Sequence, residues 1–106
     1  MISINIRDQF GNDTITRDHG SRLRSLFELN WDKADFFEIE FSNEKIASAS
    51  FFDEAIGKLI FNEENPQFRK SIEDIKKKII PQNLNPLDRM LLNQVIIDRL
   101  EKSKSK

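Results

Sequence analysis

The chain has 106 residues, 38% of them hydrophobic, which suits one domain around one modest core and is too short for a catalytic domain beside a regulatory one. It holds no cysteine and a single histidine, His19, so thiol nucleophiles, disulfides and Cys/His zinc sites are excluded, and neither a metal site nor a cofactor is expected. The formal net charge of −1 hides an imbalance, because residues 1–66 sum to −6 and residues 67–106 to +5. No apolar run nears the ~20 residues that span a bilayer, and Met1 leads straight into a strand-like pattern rather than a signal core, so a cytoplasmic protein with no membrane association is expected.

Ile2, Ile4 and Ile6 alternate with Ser3 and Asn5, the period of a strand with one buried face. Gly11, Asn12 and Asp13 then form a turn signal. From Thr16, a candidate N-cap, the spacing changes: Leu23, Leu26 and Phe27 predict an amphipathic helix over 17–29, weakened by Gly20 by about 1 kcal/mol relative to alanine. A second strand over 36–41 places Phe37, Ile39 and Phe41 on one face, with Phe36, Glu38 and Glu40 on the other. A helix starting at Ser50 or Phe51 carries Phe52, Ala55, Ile56, Leu59 and Ile60 at helical spacing.

Two later segments, NPQF at 65–68 and NPLD at 85–88, each put asparagine at a cap and proline at the first helical position, where its missing N–H costs nothing. They predict helices over 66–77 and 86–102, the second with Leu87, Leu91, Val95 and Ile96 inward. Between them KIIPQNL has room for one short strand, which Pro81 marks as an edge because it cannot donate to a ladder. The order β-α-β-α-α-β-α predicts the α/β class: a short mixed sheet with helices packed mainly on one face, in a single domain over 1–102 followed by a disordered basic tail at 103–106.

The chemistry turns on Ser50, within IASASFFDEAIGKL at 46–59. A serine hydrolase would need Ser50 as nucleophile, His19 as its base and an acid such as Asp53, but the flanking glycines of a nucleophile elbow are missing. Three scattered glycines form no phosphate loop, and the acid pairs Asp53–Glu54 and Glu63–Glu64 point about 100° apart on a helix, so neither converges on a substrate. Nucleic acid is disfavoured too: Phe37, Phe41, Phe52 and Phe68 fall on buried faces, and Glu38 and Glu40 would repel phosphate from the open face of the sheet. The structural role of Ser50 is that of an N-cap in a capping-box variant, Ser-Phe-Phe-Asp, in which Ser50→Ala costs on the order of 1 kcal/mol.

FEIEFSNEKIASASFFDEAIGKL, residues 37–59, resembles the strand-loop-helix core of the STAS-like family of bacterial domains of unknown function. The specific part is the run of Ser48, Ser50, Phe51, Asp53 and Glu54; TRDHGSRLRSLF at 16–27 and the final NPLDRMLLNQVI extend the resemblance over most of the chain. The wider group, the sulfate-transporter and anti-sigma-factor-antagonist (STAS) domains, implies a small α/β sheet with helices on one side. In its antagonist members a serine at a helix start is phosphorylated by an ATP-binding partner kinase of the histidine-kinase-like fold.

By position Ser50 matches that serine and Ala49 the residue before it, while Ser48 stands in place of an aspartate and Phe51 in place of a glycine. The resemblance thus implies a non-enzymatic regulatory protein-binding module, with Ser50 as the phosphorylation or switch residue. Ser48, Ser50, Phe51, Asp53 and Glu54 would touch the partner, an ATP-binding kinase-like protein, around the loop at 43–50. Charge opposes the switch, since Asp53 and Glu54 place two negative charges in the first turn beside a group of about −1.5 to −2. The alternative is an adaptor for nucleic acid or another acidic partner through the basic half, and a serine hydrolase stands third.

Overall fold

A computed structural model describes residues 1–11 and 14–104. Asn12 and Asp13 of the turn signal, and Ser105 and Lys106 of the tail, lie outside the described residues. Strand β1 (Ile2–Asn5) runs into a short helix α1 (Ile6–Phe10), followed by α2 (Arg17–Asn30) and β2 (Phe37–Glu40). A continuous helix then covers residues 49–60 as α3 (Ala49–Phe52), a π-helical turn (Asp53–Gly57) and α4 (Lys58–Ile60). Helix α5 (Ile72–Lys78), β3 (Ile79–Gln82) and α6 (Pro86–Lys104) complete the chain, so Ser103 and Lys104 of the expected tail are helical.

The architecture is α/β, as the element order predicts, and the three strands lie in the order β1-β2-β3. Every pairing is parallel rather than mixed, with Ile4 beside Ile39 and Ile39 beside Pro81. The reason is that helical crossovers separate all three strands, and among the described residues no hairpin reverses the chain between them. Pro81 does sit on an edge strand. Ile4, Phe37, Ile39 and Ile79 are buried on one face, whereas Glu38, Glu40, Ile80 and Gln82 are half-exposed on the other. Phe27 of α2 packs edge-on against Phe37, with ring centroids 5.0 Å apart. Among the described residues no helix is long and apolar enough to cross a membrane.

Three local expectations are corrected. Asn5 is a cap as well as a strand residue: its side chain accepts from the amides of Arg7 and Asp8, which starts α1 at Ile6, the last residue of the expected strand. Pro66 lies in a turn rather than a helix, because the Lys70 amide is drawn to Leu59 O and Phe68 turns edge-on to Trp31. The helix begins instead after Ser71, whose hydroxyl accepts from the Asp74 amide.

Helix α6 is rotated from its expected orientation. Asp88, Leu92, Val95 and Arg99 face inward, while Leu87 is exposed and Leu91 and Ile96 are half-buried. Apolar residues surround this helix on all sides, so periodicity cannot choose its inner face. The two charged residues choose it through their partners. Asp88, fully buried, accepts from the amides of Ile46 and Ala47 at 2.7 Å each and thereby holds the loop after β2, in which Ser42, Asn43 and Ala47 all have positive φ. Asp88→Ala leaves two amides without their acceptor and is expected to lower stability by about 3 kcal/mol in urea unfolding, with α6 still helical by circular dichroism.

Candidate functional site

The loop held by Asp88 delivers the chain to α3, and the capping residue there is Ser48 rather than Ser50. Ser48 has extended backbone angles and its hydroxyl accepts from the Phe51 amide at 3.1 Å. Ser50 is therefore the second residue of the helix, half-buried, and its Oγ accepts from Arg17 Nη2 at 3.3 Å. Phe51, expected at the contact surface, is wholly buried and packs edge-on against Phe52. The FF pair after Ser50 therefore anchors the helix in the core, while Ser48 and Ser50 stay at its rim.

Beyond Phe52 the helix widens: the Lys58 amide donates to Asp53 O, five residues back. The widened turn lies where α2 and α6 both approach closely. A Cβ at Gly20 would stand 2.5 Å from Phe51 O, and one at Gly57 would stand 2.6 Å from an Asp53 carboxylate oxygen and 2.9 Å from Val95, so both positions require glycine. Gly20 thus serves helix packing rather than merely weakening α2.

Asp53 and Glu54, adjacent in sequence, pair with different helices. Asp53 takes a bidentate hold of Arg99 on α6, Oδ1 to Nε and Oδ2 to Nη2, each at 2.7 Å. Arg99 also donates to Phe61 O, and its charge is held more firmly than usual, first by the hydrogen bond to Asp53, against the effect of its burial. Glu54 is 5% exposed. It meets Arg17 Nη1 at 2.8 Å, Lys58 Nζ at 2.9 Å and Arg24 Nη1 at 3.1 Å, and Arg24 also donates to its backbone carbonyl. Burial alone would push this carboxyl upward, but the hydrogen bonds from Lys58, Arg24 and Arg17 together hold it below the ordinary glutamate value. The two acids therefore do not confront Ser50 as bare charges, which removes the electrostatic objection raised by the sequence.

These residues border an open cleft of about 570 Å³ between the start of α2, the start of α3 and α6, with Arg17, Ser50, Asp53, Asp98, Glu101 and Lys102 on its walls. The hydrolase grouping is not assembled there. His19 Nδ1 accepts from the Thr16 amide in a capping box, its ring packs on Phe10, and the group beside the Ser50 hydroxyl is a guanidinium. Among the described residues no cluster of three His, Asp or Glu side chains is placed to hold a metal ion. Several cations of the basic half serve the fold: Lys78 donates to the carbonyls of Trp31 and Ala34 past the end of α2, and Lys70 lies over the rings of Trp31 and Phe68. Sequence patterns missed Arg17, Arg24 and Arg99; for Arg99 the available signal was a charge at a position sharing one face with Leu92 and Val95.

Two measurements check this geometry. Ser48→Ala is expected to cost about 1 kcal/mol in denaturant unfolding, while Ser50→Ala stays within about 0.5 kcal/mol of the parent, so the capping cost expected at Ser50 moves to Ser48. Glu54→Gln leaves three cations without their carboxylate and is expected to cost about 3 kcal/mol at neutral pH. Because the folded protein depresses this carboxyl, its stabilisation is present above the usual value of 4.5 and is lost as pH falls below that and through the folded value. Unfolding curves of parent and variant should converge over that acid range.

No curated protein and no solved structure matches the chain. A family model, the STAS-like domain of unknown function (DUF4325), matches residues 19–89, a stretch that runs from the first turn of α2 through both serines, the π turn and β3 to the start of α6. With that match over well more than half of its length, and with a small parallel α/β sheet beneath it, the chain belongs to the family of STAS-like domains of unknown function.

Proposed function

We propose that this domain is a non-enzymatic regulatory module that binds a protein partner through the cleft at Ser50, the partner being an ATP-binding protein of the histidine-kinase-like class that phosphorylates Ser50. The observation that carries this reading is the setting of the Ser50 hydroxyl. It opens on a cleft, is not needed to cap its helix, and lies beside Arg17, a group suited to an added phosphate. Membership of a STAS-like family is consistent with a regulatory role. Within the cleft, Ser50, Asp98 and Lys102 are among the contacts open to a partner without breaking a core ion pair, since Asp53 and Glu54 are committed to Arg99 and to Arg17, Arg24 and Lys58. The adaptor reading is weaker because Lys70, Lys78 and Arg99, three cations of the basic half, are engaged inside the fold.

The test is to incubate the protein with ATP and the ATP-binding protein encoded nearest to it. Intact mass is expected to rise by one phosphate in the parent and not in Ser50→Ala; an unmodified parent while the partner turns over ATP would remove the switch. Binding is tested separately by Ser50→Asp and Lys102→Glu, neither of which touches the Asp53–Arg99 pair or the bonds of Arg24 and Lys58 to Glu54. Each is expected to change partner affinity by about tenfold or more, equivalent to about 1.4 kcal/mol, by calorimetry. Unchanged affinity in both would remove the cleft as the contact surface.

A further inference from the structure

The three cations around Glu54 are not alike. Lys58 belongs to its own helix, and Arg24, with a side chain only 14% exposed, binds both its carboxylate and its backbone carbonyl. Arg17 is of a different kind: its side chain is 59% exposed and it reaches the carboxylate from the rim of the cleft. Its two terminal nitrogens are divided, Nη1 on Glu54 Oε1 and Nη2 on Ser50 Oγ. Arg17 is thus a direct link between the cleft and the buried carboxylate.

We infer that Arg17 is an exchangeable counter-ion that couples the charge at position 50 to the buried Glu54 network. Phosphate and carboxylate groups take a guanidinium best through two parallel N–H bonds, so an oxyanion at position 50 competes for Nη1 as well as Nη2. When Nη1 leaves, Glu54 is not stranded, because Arg24 and Lys58 still neutralise it. The structure therefore yields to the new charge by swapping one bond rather than by unfolding, and Arg17, the first residue of α2, carries the change to the start of that helix. The other charged groups facing this region are Asp53, paired with Arg99, then Asp98, Glu101 and Lys102 across the cleft, and Glu63 and Glu64 on the side of Lys58. Arg17 in this scheme is a coupling residue with no chemical step of its own.

The inference rests on Ser50 being the residue that is modified or contacted, but its test needs neither partner nor phosphate. The Glu54 carboxyl is titrated by side-chain carbon NMR in the parent, Ser50→Glu, Arg17→Gln and the double variant. A direct like-charge effect of Ser50→Glu on Glu54 operates whether or not Arg17 is present, whereas loss of the Arg17 bond operates only in the parent background. The upward shift of the Glu54 midpoint caused by Ser50→Glu is therefore expected to be larger with Arg17 than with Arg17→Gln. Equal shifts in the two backgrounds would overturn the coupling. A parallel cycle with Lys102→Gln in place of Arg17→Gln should leave the larger shift intact; its loss there would assign the effect to the general field of the cleft and also overturn the inference. Equal shifts in a protein whose Ser50 is still phosphorylated would remove the relay and keep the partner, and a positive cycle without phosphorylation would do the reverse.

Discussion

The carboxylate of Glu54 is buried where α2 crosses the helix at 49–60, and a charge taken out of water there is tolerated only with partners at hydrogen-bond distance. That requirement places Arg24 and Arg17 of α2 and turns Lys58 of the same helix inward. The widened turn at 53–57 aims the neighbouring carboxylate elsewhere, at Arg99, which fixes the rotation of α6. Two successive acids thus orient two helices against a third, and the apolar packing of Phe51, Phe52 and Leu59 fills the space they define.

The consequence for the site is a surface whose acids are already spoken for. Ser50 stands in the first turn of a helix followed by Asp53 and Glu54, yet what its hydroxyl meets is a guanidinium. The capping duty falls on Ser48, two residues earlier, so the two serines of the SAS run divide structural and surface roles. The loop before them is pinned from beneath by Asp88, a residue from the far end of the chain, which makes the position of Ser48 dependent on the docking of α6.

Strand alternation was legible: Phe37, Ile39 and Phe41 point inward and Glu38 and Glu40 outward as their spacing requires. So was the NP start of α6, since Asn85 Oδ1 accepts from the Leu87 amide and proline suits the position between them. The same two-residue signal failed at Asn65 because tertiary contacts of Phe68 and Lys70 outweighed a local preference. Ser50 looked like a cap because Asp53 follows it at three, but caps are decided by which hydroxyl reaches an amide, and Ser48 does. The face of α6 was not readable, because eight apolar residues spread around it and the deciding groups were charges whose partners lie some forty residues away. Site residues drawn from one contiguous run could not include Arg17 or Arg99, which only the fold brings to Ser50.

The wholly parallel sheet has a consequence in time rather than in space. Ile2 pairs with Phe37 and Phe37 with Ile79, so no ladder bond of the sheet can form through a local turn. Two long loops must close before the central strand has both neighbours, and that closure entropy is spent before the sheet returns any of it. Helices α2 and α3, which meet through Gly20 and Phe51, are themselves joined by a long stretch of chain, so neither the sheet nor the helical layer completes itself from local contacts alone.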